Sequence, residues 1–444
     1  MHTLNPTLWP DTATISDGHL MLGGCDVTTL AAGYGTPLYL LDDATLRGMM
    51  RAYTAAFTAH YPAPFGIHYA SKALLNTALA QIVAQEGLGL DVVSGTELRI
   101  AYEAGLPMEQ LHFHGNAKTQ AELERAVAWG VGAIVVDNED ELAQLATITA
   151  GRTTPQPILL RVAPGIAAHT HAHIATGATD AKFGLPLDAL PAVTKRVLAA
   201  PGLRLRGLHA HIGSQIFDPE EWHGTIEILV EQAALLRDRF GLLCAELSPG
   251  GGLGTPYTAD VAPTTIERYV HTLSTTMQTA CATHNLPLPR LTVEPGRSIV
   301  ARAGVAIYRI VTTKHSAIRY LHVDGGMADN IRPALYGAHY TALLANRAAA
   351  LPTERVHIAG RYCESGDILV RDALLPPAEP GDLVAVAVAG AYTLSMASNY
   401  NLVPRPPLLL VANGRAHLIQ RRETEDDLLA RDLPLDAGEA LSMI

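Results

Sequence analysis

The sequence predicts an α/β protein, a (β/α)8 TIM-like barrel joined to a C-terminal β-barrel or sandwich domain that takes in the N-terminal strands. Three observations predict it. Between about residues 65 and 295, eight short apolar runs alternate with amphipathic stretches; beyond residue 300, strand-like runs follow one another with only turns between them. In the first segment, polar residues collect where the apolar runs end, and that is the face on which barrels carry their chemistry.

The elements follow in order. DGHLMLGGCDVTTL, at 17–30, reads as an N-terminal hairpin, and residues 1–38 are expected to pack as strands with the β domain. The barrel is expected over 39–298. Its runs are FGIHYAS before Lys72, GLDVVS to Ser94, QLHFHG to Gly115, GAIVVD to Asp137, PILLRVAP to Pro164, LRGLHAHIGS to Ser214, CAELSPGGG to Gly252 and LTVEPGR to Arg297. Between them, TELRIAYEAG and TQAELERAVAWG place apolar residues at helical spacing and stop at glycine. An open doubly wound sheet would more often have fewer strands and a Gly-rich turn after the first. Lys72, Ser94, His211, Ser214, three glycines and Glu294 at the run ends are too polar a set for structural turns. The β domain is expected over 299–444, with strands in VAIYRIVTTK, RYLHVDGG, ERVHIAG, DLVAVAVAG and PPLLLVANGRAHLIQ. ALLANRAAALPTE, near 342–354, reads as a surface connection and the acidic tail as a solvated helix.

Composition excludes several classes. With 444 residues, 48% apolar and 17% charged, the chain can bury a large core. Its 32 Lys plus Arg against 43 Asp plus Glu leave a net charge of -11, which argues against a nucleic-acid surface. No run reaches a membrane span, and the N-terminus lacks a basic region followed by an apolar one, so a cytoplasmic location is expected. Cys25, Cys244, Cys281 and Cys363 are widely separated and form no C-x-x-C pair, which fits a reducing compartment.

Only five lysines are present: Lys72, Lys118, Lys182, Lys195 and Lys314. Lys72 closes the first barrel strand, as a snorkelling lysine or as a Schiff-base amine. Lys118, Lys195 and Lys314 read as solvated. Gly250, Gly251 and Gly252 follow the seventh strand, where barrels bind phosphate through backbone N–H groups, although no Walker lysine follows them. Glu294, Gly296 and Arg297 lie at the eighth strand end; the carboxylate suits either an ion pair with Arg297 or the ring nitrogen of a pyridine cofactor. His209 and His211 alternate and share a face. His169, His171 and His173 also alternate, but without a carboxylate or cysteine at ligand spacing no metal is expected.

Taken together, Lys72, HIGSQ at 211–215, GGGLG at 250–254, EPGR at 294–297 and CESGD at 363–367 resemble the pyridoxal-phosphate decarboxylases of the alanine-racemase fold, most of all the diaminopimelate decarboxylases. The resemblance covers almost the whole chain. It includes DVVSGTEL, HGNAKT, TGATDAKFG, DGGMADNIRPALY and GAYTLSMASNYN in family order. It departs from the family pattern at Leu74 and Thr96. The resemblance implies that Lys72 carries pyridoxal 5'-phosphate, His211 stacks on its ring and Glu294 faces its nitrogen. Ser214, Gly250 to Gly252, Gly296, Arg297 and Tyr392 would complete the cofactor site. Arg297, Arg332, Tyr336, Glu364 and Tyr392 would bind substrate, and Cys363 would donate a proton across the interface of a homodimer. The implied reaction converts meso-2,6-diaminoheptanedioate to L-lysine and carbon dioxide, the last step of lysine biosynthesis. The alternative is the same chemistry on ornithine, lysine, carboxynorspermidine or a secondary-metabolite amino acid; Arg332 and Glu364 favour the first. A third reading, a cofactor-binding protein without decarboxylase activity, fits shorter relatives that lack the β domain.

Overall fold

The computed structural model describes residues 4–166 and 182–435; His169, His171 and His173 lie outside them. Eight parallel strands form the barrel: β1 (Phe65–Ala70), β2 (Gly89–Val92), β3 (Leu111–Phe113), β4 (Ala133–Val136), β5 (Gln156–Ala163), β6 (Leu203–His209), β7 (Glu246–Gly250) and β8 (Arg290–Val293). They are hydrogen-bonded in the order β5-β6-β7-β8-β1-β2-β3-β4. Ile134 of β4 then pairs with Ile158 of β5 and closes the sheet without a free edge. Every residue of β2, β3 and β4 is buried, which explains why these runs are continuous in apolar character and do not alternate.

The helices between strands begin on local caps. Ser94, Thr119 and Asn138 each accept a hydrogen bond from the backbone N–H three residues on, and so start Gly95–Glu103, Gln120–Ala128 and Glu139–Ile148. Ser94 is therefore a helix cap, although its place at a strand end suggested chemistry. Gly105 and Gly130 follow the first two helices at φ 80° and 72°, a conformation open to glycine at no steric cost.

The β domain is organised on one long strand, Gly304–His315. It pairs antiparallel with Leu38–Asp42, with Leu383–Val386 and with Arg319–Val323. Leu38–Asp42 straddles the boundary expected at residue 39 and is a strand of this sheet; the helix Asp43–His60 leads from it toward the barrel. Thr14–Ser16, His19–Leu22 and Cys25–Asp26 make a small sheet of their own. It docks on the β domain where the Gly414 N–H donates to the Gly23 carbonyl and the Ala348 N–H to the Gly18 carbonyl, both at 2.7 Å.

Two expectations are corrected. The segment read as a surface connection supplies a strand, Ala342–Leu344, paired with Leu383–Val386, and buries Leu344 and Ala345. Its apolar residues do not alternate, so period two did not reveal it. Lys118 is not solvated: its Nζ donates to the carbonyls of Gly115 (2.7 Å) and Val135 (2.8 Å) and to Glu141 Oε1 (2.7 Å) inside the protein. Three acceptors satisfy the three ammonium protons, which is what burial of a lysine requires.

Candidate active site

A cavity of about 810 Å³ opens where the C-terminal ends of the barrel strands meet the β domain. Lys72 reaches it from a single 3-10 turn, Ser71–Ala73, immediately after β1. The β domain holds that turn. The Tyr392 N–H donates to the Ala73 carbonyl at 2.8 Å and Ser395 Oγ donates to the same oxygen at 3.0 Å. Tyr392 stands at φ 57°, a left-handed conformation that costs a bulky residue on the order of 1–3 kcal/mol and persists where surrounding contacts impose it. Burial opposes charge on Lys72, but Tyr392, Asp91 and Glu294 prevail and hold its ammonium above the ordinary lysine value.

His211, just past β6, accepts the Gly251 N–H on Nδ1 at 3.3 Å. Burial, followed by the positive Lys72 and Arg161, pushes its pKa well below the usual histidine value and keeps the ring neutral. Gly250, Gly251 and Gly252 pack directly behind it. A Cβ at Gly250 would stand 2.7 Å from His211 Nδ1, and one at Gly251 2.0 Å from the Glu294 carbonyl oxygen, so the turn accepts no side chain. Gly296 is similarly close, with a Cβ there 3.1 Å from those of Ala70 and Ala73. None of these four glycines is among the residues lining the cavity.

The residues expected to bind substrate arrive from both domains. Arg297 follows β8, and Arg332 and Tyr336 come from the short helix Arg332–Tyr336 of the β domain. Arg297 donates to the Tyr257 hydroxyl at 2.7 Å and to Ser214 Oγ at 3.2 Å, with its guanidinium carbon 4.6 Å from the Tyr392 ring centre. Arg332 lies 4.4 Å from the Tyr257 ring centre and donates to the Tyr340 hydroxyl at 2.8 Å. Both guanidiniums are buried, and the Nε of each has no hydrogen-bond partner among the described residues.

Nine residues singled out in the sequence thus meet in one cavity: Lys72, His209, His211, Ser214, Glu294, Arg297, Arg332, Tyr336 and Tyr392. Cys363 and Glu364 do not join them. They lie exposed on a β-domain loop, where the Cys363 N–H donates to Asn401 Oδ1 (3.0 Å) and the Tyr400 hydroxyl to Glu364 Oε1 (2.8 Å). Sequence reading passed over Asp91, His114, Arg161 and Tyr257, which also line the cavity, and Tyr340 behind it. For His114 a signal existed, since it begins the HGNAKT motif.

Residues 46–301 match the family described as pyridoxal-dependent decarboxylase, pyridoxal binding domain. The diaminopimelate decarboxylase of Synechocystis sp. is 45% identical over 439 residues, covering 96% of this chain and 93% of the relative. That of Bacillus subtilis is 42% identical over 95% of this chain and 97% of its own. The chain belongs to the diaminopimelate decarboxylase family. A crystal structure of the M. jannaschii diaminopimelate decarboxylase in complex with L-lysine superposes with a TM-score of 0.90 at 32% identity, covering 96% of this chain and 99% of the other.

Pyridoxal phosphate is the cofactor of this decarboxylase family, and the residues present fit it. The amine at the barrel mouth, the neutral imidazole and the buried carboxylate would give it a covalent anchor, a flat stacking partner and an acidic partner, while the glycine turn, its Gly250 and Gly251 N–H groups held by Ser248 and His211, packs behind the imidazole. No helix among the described residues is long and apolar enough to cross a membrane.

Proposed function

We propose that this chain decarboxylates meso-2,6-diaminoheptanedioate to L-lysine, with Lys72 holding pyridoxal phosphate and two copies of the chain completing each site. The observation that carries this reading is the pair Arg297 and Arg332, two buried guanidiniums joined through Tyr257 in the cavity that also holds Lys72. A second carboxylate is the group such a pair grips, and ornithine and lysine have none.

Bound pyridoxal phosphate supplies an electron sink for the bond pair released when carbon dioxide leaves. The chain supplies position and charge. Lys72 would anchor the cofactor, with His211 as the flat partner for its ring and Glu294 as the acidic partner for its nitrogen. Ser214 and Tyr392, which line the cavity, would take the phosphate with Arg297 beside them, and Gly296 and the Gly250 to Gly252 turn would back that end of the site. Arg297, Arg332, Tyr336 and Tyr392 fix the distal head of the substrate, so that the carboxylate that leaves is the one nearest Lys72. The carbon left with the electron pair takes a proton from the Cys363 thiol, which regains one from solvent. Because Cys363 and Glu364 stand outside their own cavity, they serve that of a second copy, and the working unit is a homodimer.

Carbon dioxide release from meso-diaminopimelate, ornithine and lysine, measured side by side, tests the substrate. The first should turn over fastest; faster release from either of the others overturns the reading.

A further inference from the structure

Glu294, at the end of β8, has both carboxylate oxygens committed to neighbours from other strands. Its Oε2 lies 3.1 Å from His209 Nε2, at the end of β6. Its Oε1 accepts from Ser248 Oγ of β7 at 3.1 Å and lies 3.5 Å from Nε2 of His114, the residue after β3. The rings of His114 and His209 meet edge to face with centres 4.9 Å apart, and His114 Nε2 is also 3.6 Å from Asp91 Oδ1 in β2. All five side chains are buried. Closing a barrel does not require such a cluster, because layers of branched apolar residues fill barrels at far lower desolvation cost.

We propose that His209 and His114 are positioning residues for Glu294: one on each oxygen, they fix the carboxylate in a single orientation and keep it an anion, so that it holds the proton on the ring nitrogen of bound pyridoxal phosphate. This rests on the reading of Glu294 as the partner of that nitrogen. The electrostatics agree with the geometry. Burial alone would favour the neutral acid, yet His209 and His114 hold Glu294 well below the usual carboxylate range. Asp91 is driven the opposite way, by burial first and then by the nearby Glu294. The next histidine down, His112, faces a different buried carboxylate, Glu246, at 3.5 Å, whose oxygens also meet Thr292 and Arg206.

The test compares the affinity of the apoprotein for pyridoxal phosphate with its affinity for 1-deazapyridoxal phosphate, in which carbon replaces the ring nitrogen, by fluorescence titration. The two ligands share phosphate, ring and aldehyde, so the ratio reads the nitrogen contact alone. His209→Leu should lower that ratio about tenfold, the loss of one charge-assisted hydrogen bond, and His114→Leu, which removes a 3.5 Å contact and no hydrogen bond, should lower it by a smaller factor of about threefold. His209→Gln, whose amide can still donate to Oε2, should recover most of it, and Glu294→Gln should abolish it. The histidines act on different oxygens, so either variant that folds reads the proposal. An unchanged ratio in the histidine variants, with the ratio lost in Glu294→Gln, overturns their role and leaves that of Glu294 standing. An unchanged ratio in Glu294→Gln overturns both. His112, His114 and Glu294 also offer three ligand atoms within 4.8 Å of one another. A stoichiometric transition metal in the purified protein, removed by chelation together with the discrimination, would overturn the proposal as well.

Discussion

Tyr257 joins the two arginines of the cavity, accepting from Arg297 on its hydroxyl and lying under Arg332 with its ring. Its burial would disfavour the phenolate, but the two guanidiniums outweigh that and draw its pKa below the ordinary tyrosine value. Tyr257→Phe keeps the ring and removes the acceptor, so that Arg297 keeps its bond to Ser214 and loses the one that aims its other nitrogen. The expected result is a rise of about tenfold in KM for meso-diaminopimelate with unchanged affinity for pyridoxal phosphate, measured by steady-state kinetics and cofactor titration. Lys72, Glu294 and the glycines were legible because each ends a recognisable apolar run, whereas Tyr257 and Tyr340 carry no local pattern and matter only for what folds against them.

At the scale of elements, the acidic residues of DGGMADN prove to be fasteners. Asp329, buried between Leu38–Asp42 and the central β-domain strand, accepts from the hydroxyls of Tyr39 (2.9 Å) and Tyr308 (2.5 Å) and from the Gly326 N–H (2.9 Å). Asp367, of the CESGD loop, accepts from the Met327 and Tyr362 N–H groups and so ties that loop to the turn ahead of Arg332. Burial raises the Asp329 pKa from 3.8 to about 6, against the pull of its hydrogen bonds. Between those values the folded protein retains a proton that the unfolded chain has released. This contribution to stability is therefore complete below pH 4 and lost as the pH rises through about 6, on the order of 3 kcal/mol. Urea unfolding of the native protein and of Asp329→Asn between pH 4 and 7 checks this: the variant, which mimics the protonated acid, should lack that part of the slope. A native slope shared by the variant would assign it to other groups.

For the whole molecule, the exposed position of Cys363 and Glu364 makes a single chain incomplete under the proposed mechanism. Lys72→Ala and Cys363→Ala should each be nearly inactive alone, the second with cofactor still bound. Co-expressed, they form mixed dimers with one native site, and activity should return to roughly a quarter of normal, the statistical limit for random pairing of a shared two-fold site. No recovery, with mixed dimers demonstrated by mass, would remove Cys363 from a shared site. The sequence by itself determined the barrel, its β companion, the place of Lys72 at a strand end and the glycine turn, because hydrophobic period, caps and strand-end motifs are local and need no partner to be read. Only the tertiary structure decided that Leu38–Asp42 belongs to the β sheet, that Lys118 is buried on Glu141, and that His209, His114 and Asp91 surround Glu294. Each of these depends on groups far apart in the chain sharing a low-dielectric interior, where partners rather than residue type set charge and orientation.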